Sequence, residues 1–487
     1  RGKSNEKIRK EKYTSILSSL LDQICNPNES SGVCECCGNG YNCDLTLAYK
    51  NLNEKNNKEY FVGRDYFPLI GSLGSDAQAL PASSRMFYVC PKCLFAVNYL
   101  PLATRLLDGR LIAFEGAHTP FIQDLIGSIV DENISKLNLS KKEVETIGKK
   151  EPSSRIIEWM CNRFEAMQKA KRRNLLSNAE MNIWLFSNSG TSPDCEVMKI
   201  PDSSIRFIWE AANYGLNLEI SFMSKIDKKL RSQDQLLSAI RNKTDYKGLY
   251  SRKDYPGTSI EMYSFYQIML LDIPRITLVN CQKLASEILP RNPKEKKEWL
   301  KFDVFNDFNK RNILRSKICE LIEKGRFTVD DYFSIFPIKE IFPLSVNRRG
   351  FDIIRYFLTH LEDEIPDYKN KNELRDDSMK MHPKILEAST LYFNDFVENR
   401  GLTRFKKEVL DEFKRGTKSV FWLKNVLCQL AENNEGFGPK DWDSFWHDLS
   451  HNENGEFVGY ELLFQMRLAL SDLYRRKVNE KSANLIV

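Results

Sequence analysis

Hydrophobic residues recur every three to four positions near the start of the chain, between Tyr13 and Ile24, and this spacing predicts a helix that ends at Asn26-Pro27. Residues 30–110 keep neither the helical nor the strand period for long. The remaining elements predicted for the N-terminal part are strands at 86–90 and 110–115, helices over 120–136 and about 154–173, and strands at 182–186 and 216–222.

From about residue 258 the pattern is mainly helical, and after Pro343 it is almost entirely so. The predicted helices there are 349–361, 383–398, 403–415, 417–432, 442–450 and 456–478. Short polar connectors join them, which is typical of an antiparallel bundle. We therefore predict an α+β fold in which a mixed α/β part, 1–344, is followed by an all-α helical bundle, 345–487.

A length of 487 residues predicts two to four domains. The composition is that of an ordinary folded protein, since 42% of the residues are hydrophobic and 28% are charged. No apolar run approaches the length of a membrane span, and the first residues, "RGKSNEKIRK", lack the apolar segment of a signal peptide. We therefore expect a cytoplasmic protein with no membrane partner. Closely spaced cysteines in a reducing compartment indicate metal or redox chemistry rather than disulfides.

Positive charge is unevenly distributed along the chain. The net charge is +6, and residues 345–487 carry 22 Lys+Arg against 24 Asp+Glu, which is −2, so residues 1–344 carry +8. A polyanionic partner would therefore be expected to contact the N-terminal part.

Two Cys-x-x-Cys pairs lie in the irregular N-terminal region, in "GVCECCG" at 32–38 and in "YVCPKCL" at 88–94. A Cys-x-x-Cys turn presents two thiolates from one short loop, and two such turns supply the four soft ligands that Zn²⁺ prefers. A glycine follows the second thiolate of the first pair, which lets backbone amides turn toward sulfur. We predict a structural Zn²⁺ site in region 30–95, formed by Cys34, Cys37, Cys90 and Cys93.

Several alternatives to this zinc site remain open. As many as 52 residues separate Cys37 from Cys90, so a long insertion must lie between the two turns. Cys36 or Cys43 could replace one of the four ligands. Buried cysteines without a metal, a dithiol redox site and an iron–sulfur cluster are the other interpretations. Four thiolates leave no coordination position for water, so the predicted site is structural rather than catalytic.

The segment "HDLSH" at 447–451 resembles the zinc-binding His-Glu-x-x-His helix of metalloproteases. Its acid is the shorter Asp448, and "NENGE" ends the helix at once. His382 and Asp472 could formally complete a His…His-Asp…Asp set, as in metal phosphohydrolases. A solvated helix end is the simpler interpretation of these residues.

Basic stretches are found at 168–174, 224–255 and 347–350. The second also contains Tyr246, Tyr250 and Tyr255, a mixture suited to phosphate contacts and base stacking. Solvated helix faces are the alternative interpretation. The candidate nucleic-acid-binding residues are Lys169, Lys171, Arg172, Arg173, Lys228, Lys229, Arg231, Arg241, Lys243, Arg348 and Arg349.

The two cysteine pairs split by a long insertion, followed by "SNSGTSPDCEVMKIP" and a helical tail, resemble the large subunit of type I-B Cascade, a CRISPR surveillance complex. The match is to the subtype named for its CXXC–CXXC cysteines, and it covers most of the chain. The resemblance implies a non-catalytic subunit that holds the 5′ part of the guide RNA and reads a protospacer-adjacent motif in duplex DNA. It also implies that the subunit helps open the duplex and stabilises the R-loop.

The partners implied by this resemblance are the guide RNA, target double-stranded DNA, and the backbone, guide-end-capping and small subunits. A separately recruited helicase-nuclease would cut the target. Cys34, Cys37, Cys90 and Cys93 carry over as zinc ligands, and the residues that read the motif do not transfer. Two other functions stay open: a stand-alone zinc-dependent DNA-binding regulator, and a metallohydrolase that uses His447, Asp448 and His451.

Overall fold

Two compact units make up the chain, Arg1–Tyr246 and Lys247–Val487. A computed structural model describes residues 2–27, 32–41, 89–107, 109–117, 119–138, 146–148, 154–169, 180–189, 192–229, 235–251, 257–301, 304–336, 348–368, 381–434, 436–438, 442–451, 455 and 457–483. Helices on both sides of the predicted boundary at 344/345 belong to the second unit. The division into these two units does not test a further boundary inside the second unit, so the boundary at 344/345 stays a prediction.

The first unit combines helices with a sheet. Its described helices are α1 (Gly2–Cys25), α2 (Pro91–Tyr99), α3 (Thr119–Asn138), α4 (Arg155–Lys169), α5 (Asp202–Asn213), α6 (Asn217–Lys229) and α7 (Gln235–Asn242). Its described strands are β1 (Gly32–Val33), β2 (Gly40–Tyr41), β3 (Arg105–Leu107), β4 (Arg110–Gly116), β5 (Thr146–Gly148), β6 (Met181–Ser189) and β7 (Ser192–Ile200).

The main sheet has the strand order β5-β3-β4-β6-β7. Four strands run antiparallel, and β5 adds to the edge parallel to β3. Along β6, Met181, Ile183 and Leu185 are fully buried, because a strand directs alternate side chains to one face. The core of this unit lies on that face. There the ring of Phe114 in β4 stacks on the ring of Trp159 in α4, with the ring centroids 5.2 Å apart.

One predicted strand is a helix in the structure. The alternation "LNLEISF" at 216–222 predicted a strand, yet residues 217–229 form α6. The buried residues Leu216, Ile220 and Met223 are three to four positions apart, whereas Leu218 is 84% exposed. The seven residues 216–222 alone fit both the strand period of two and the helical period of about 3.6. Extending the pattern to Met223 favours the helical period.

The strand predicted at 86–90 is absent at Val89 and Cys90, the two of its residues that the structure describes. Residues 86–88 lie outside the described residues, and Val89 and Cys90 are not part of a strand. Cys90 instead caps the N-terminus of α2, with Pro91 at the first helical position. The other elements predicted for the N-terminal part match α1, β4, α3, α4 and β6.

The second unit is helical in its described residues. Its helices are α8 (Ile260–Phe265), α9 (Arg275–Ile288), α10 (Pro293–Trp299), α11 (Phe308–Glu323), α12 (Val329–Ile335), α13 (Arg348–Phe357), α14 (Pro383–Arg400), α15 (Leu402–Phe405), α16 (Asp411–Arg415), α17 (Val420–Asn433), α18 (Trp442–Ser450) and α19 (Gly459–Ala483). π-helical turns at Tyr266–Leu270 and Lys406–Leu410 follow α8 and α15.

The helical bundle predicted for the C-terminal part is confirmed. Helices α14 to α19 share one core, in which Ile385, Phe405, Leu427 and Met466 are fully buried. Each helix predicted after Pro343 is present, with its ends shifted by a few residues. The α+β fold, with a mixed N-terminal part and a helical C-terminal region, is thereby confirmed.

Candidate metal centre

The first cysteine pair lies in a tight turn between β1 and β2. The amide of Cys34 donates to the carbonyl of Asn39 at 2.9 Å, and the amide of Gly38 donates to the carbonyl of Cys34 at 2.8 Å. Gly38 has φ +71°, a left-handed conformation that glycine adopts without strain. The glycine after the second thiolate therefore closes the turn.

The second cysteine pair opens α2. Cys90 is the N-cap residue, and its sulfur accepts a hydrogen bond from the amide of Cys93 at 3.4 Å. The helix is held in place through its buried residue Leu94, and α1 packs against it with Ile16 and Leu20 also buried. The positions of Cys90 and Cys93 are thus fixed by a helix end rather than by a free loop.

The two pairs bring four sulfur atoms together. The Sγ atoms of Cys34, Cys37, Cys90 and Cys93 all lie within 4.8 Å of one another. The Cys37 and Cys90 sulfurs are 3.8 Å apart. A tetrahedral Zn²⁺ with Zn–S bonds of about 2.3 Å has sulfur–sulfur edges of roughly 3.8 Å, so the cluster has the right size for this ion.

Backbone amides favour the thiolate form of Cys34, one of the four cysteines. Burial raises the pKa of Cys34, but hydrogen bonds from the amides of Cys90, Cys37 and Cys36 outweigh it and lower the pKa to about 6. The Cys90 amide lies 3.2 Å from the Cys34 sulfur. Burial raises the pKa of Cys90 and Cys93, which therefore need a cation to ionise near neutral pH.

The residues present fit a structural zinc ion. Cys34 and Cys90 are buried, and Cys37 and Cys93 close the cluster from the outer side. Four thiolates fill a tetrahedral coordination sphere and leave no position for a reacting water. The chemistry that Zn²⁺ would supply here is cross-linking, because it ties the β1–β2 turn to the start of α2.

Region 30–95 contains two further thiols, Cys36 and Cys43. Cys36 is exposed and does not belong to the four-sulfur set, while Cys43 lies outside the described residues. We expect the Cys36→Ala variant to keep its full metal content and its melting temperature, since no ligand is lost. Elemental analysis of purified protein measures this, and metal loss in Cys36→Ala would show that Cys36 is a ligand.

The histidine candidate has a different geometry. The rings of His447 and His451 stack with centroids 4.3 Å apart, and the His447 Nδ1 and Asp448 Oδ1 atoms are 3.9 Å apart. Asp472 is engaged by Arg475 and Arg476. Within the described part of the chain, the only residues grouped as three or more metal ligands are the four cysteines. The geometry therefore gives the metallohydrolase hypothesis no support.

The predicted nucleic-acid-binding residues lie in several places. Lys169 is exposed at the end of α4, and Lys228 and Lys229 end α6. Arg241 ends α7, and Lys243 follows it with φ +50°. Lys171, Arg172, Arg173 and Arg231 lie outside the described residues.

The pair Arg348 and Arg349 begins α13. The Arg349 guanidinium donates to the carbonyl of Leu271 at 2.9 Å, so this side chain has a structural contact. Nucleic-acid binding by the candidate residues stays a prediction.

The tyrosines between the basic residues do not form a stacking surface. Tyr246 is 1% exposed and donates to Asp227 Oδ1 at 2.9 Å, and Tyr250 is 4% exposed. Rings buried in this way cannot stack on a base, so the stacking prediction is wrong for both. Tyr255 lies outside the described residues.

A basic segment that the sequence analysis did not single out is prominent in the structure. The residues "RNPKEKKEWLK" at 291–301 span α10, and nearly all of them are exposed. Their signal was available in the sequence as five Lys/Arg against two Glu in eleven positions. The alternation of acids with the lysines concealed it.

Comparison with known proteins returned no match to a family model, a curated protein or a solved structure. Among the described residues, no helix combines the length and the apolar character needed to cross a membrane. The assignment of a function therefore depends on the site and on the pattern of the chain itself.

Proposed function

We propose that this chain is the non-catalytic large subunit of a type I CRISPR RNA-guided surveillance complex. In this role it recognises the protospacer-adjacent motif in duplex DNA, helps to open the duplex and stabilises the R-loop. Guide RNA and the other subunits of the complex are its partners, and a recruited helicase-nuclease cuts the target.

The observation that carries this proposal is the convergence of Cys34, Cys37, Cys90 and Cys93 into one closed cluster. These are the cysteines on which the resemblance to the CXXC–CXXC subtype depends, and they come together across an insertion of 52 residues. A mixed N-terminal part followed by a helical bundle has the domain order that the resemblance implies. A closed thiolate set also suits a binding protein better than a hydrolase.

The mild positive charge of the chain is consistent with such a role. Base pairing between guide RNA and target strand supplies sequence selection, so the protein needs only a few base contacts and phosphate contacts. A net charge of +6 over 487 residues is adequate when neighbouring subunits contribute further positive charge.

Co-purification tests the proposal. The tagged full-length chain, expressed in the cells that it comes from, should purify with a small RNA and several other proteins. The His447→Ala variant should purify with the same set, because the proposal gives this residue no catalytic part. A chain that purifies alone and selects a long operator-like site at physiological salt would instead be a stand-alone regulator.

A further inference from the structure

The segment 291–301 is an exposed basic stretch of the second unit. It contains Arg291, Lys294, Lys296, Lys297 and Lys301, against Glu295 and Glu298. All seven of these side chains are exposed. No described carboxylate lies within ion-pair distance of Lys294, Lys296 or Lys297, whereas Lys301 pairs with Glu298 at 2.5 Å.

A cap at one end and a buried side chain at the other hold this segment in place, and its charged side chains remain exposed to solvent. The Asn292 side chain caps α10 by accepting from the amide of Lys294 at 3.0 Å, and Pro293 occupies the first helical position. At the other end, Trp299 is 3% exposed. Its ring packs edge-on against the ring of Phe305, with the ring centroids 6.0 Å apart. One buried tryptophan therefore anchors a helix whose other side chains project into solvent.

The electrostatic surroundings of Glu298 show that positive charge dominates here. The hydrogen bond from Lys301 is the main cause that lowers the pKa of Glu298, and the charges of Lys301, Lys310 and Lys297 lower it further. Lys310 reaches this surface from α11, where its ammonium lies 4.9 Å from the Trp299 ring centre. Cations from two helices therefore act on the same exposed carboxylate.

We infer that Arg291, Lys294, Lys296 and Lys297 form a docking surface for the phosphate backbone of duplex DNA. The charges of surface and partner are complementary, and lysine binds phosphate as a point charge that carries no sequence information. The inference rests on the proposed function in taking DNA as the polyanion. It goes beyond that function by assigning the contact to a segment outside all the predicted binding residues.

The spacing of the lysines suits a row of phosphates. Lys294 and Lys297 are three residues apart on α10, which separates them by about 4.5 Å along the helix axis. Successive phosphates of one DNA strand advance by about 3.4 Å along the duplex axis. Flexible lysine side chains can therefore reach neighbouring phosphates without any distortion of the helix.

Salt dependence of binding tests this surface in the full-length chain. The variant with Lys294→Gln, Lys296→Gln and Lys297→Gln should bind two unrelated 30-base-pair duplexes more weakly, by the same factor for each. Its plot of log affinity against log salt should be shallower by about 2.7, since each phosphate contact contributes about 0.9. The matched control replaces Lys10, Lys477 and Lys481, three exposed lysines elsewhere, by glutamine.

The outcomes separate this inference from the proposed function. An unchanged salt slope in the 294/296/297 variant, with a circular-dichroism melt like that of the wild type, would overturn the inference even if the chain still purified with guide RNA. Equal slope losses in the control would overturn it too. Polyglutamate binding that depends on the three lysines, when duplex binding does not, would assign the surface to an acidic protein. The expected slope loss supports the DNA contact even in a chain that purifies without RNA.

Discussion

The Cys90→Ala variant should lose its metal and should become more sensitive to protease in residues 32–41 and 89–107, which contain the four sulfur atoms. Cys90 contributes one of four thiolates, and its amide also donates to the Cys34 sulfur. Structural zinc contributes on the order of 10 kcal/mol or more of folding free energy in isolated zinc fingers. In a chain of this size the loss should be local, because the helices of the second unit have a core of their own.

Elemental analysis and limited proteolysis of the full-length protein measure these two effects. Wild-type protein should contain one Zn²⁺ per chain, and Cys90→Ala should contain almost none. Cys195→Ala is the matched control, since Cys195 is an exposed cysteine on β7 outside the four-sulfur group. Wild-type protein without metal, or a Cys90→Ala variant with the wild-type cleavage pattern, would contradict the zinc site.

The cysteine cluster could be predicted from the sequence because its chemistry is local. Each Cys-x-x-Cys pair occupies a single turn, and the pairing of two such turns follows from the four ligands that zinc requires. The C-terminal end of α1 was predictable for a similar reason, since Asn26-Pro27 follows its last residue, Cys25. Long segments with a sustained period, such as those of the C-terminal bundle, left little choice of structure.

Features that depend on tertiary packing were not predictable in this way. Tyr246 lies in a basic stretch, and only the fold shows that its hydroxyl is buried against Asp227. Leu218 fits an alternating pattern with its neighbours, yet it projects into solvent from a helix. Burial of a polar or aromatic side chain is decided by distant segments, which a local sequence window does not contain.

Charge pairing inside the second unit is a further property that the sequence did not reveal. Arg315 of α11 and Glu461 of α19 are 146 positions apart, and their side chains meet at 3.0 Å. The Glu461 side chain is only 5% exposed. Burial raises the pKa of Glu461, and the charge of Arg315 partly opposes this rise. The guanidinium also lies over the Phe464 ring at 5.0 Å.

The Arg315→Met variant should lower the free energy of unfolding by about 3–5 kcal/mol near pH 8, because it leaves a buried carboxylate without its partner. A second substitution, Glu461→Gln, should recover much of this loss by removing the unpaired charge. The matched control is Arg326→Met in the same unit. Arg326 is 58% exposed in its pair with Glu287, so its loss should cost less than about 1 kcal/mol.

The deficit of Arg315→Met should depend on pH in a defined direction. Without Arg315 the pKa of Glu461 should rise further above its value in the unfolded chain, about 4.3. Between these two pKa values the folded state holds a proton that the unfolded state has released, so stability falls as pH rises through that window. Urea denaturation of the full-length variants at pH 5 and pH 8 should therefore show the smaller deficit at pH 5. A deficit that is equal or larger at pH 5 would mean that Glu461 is not the group left unpaired.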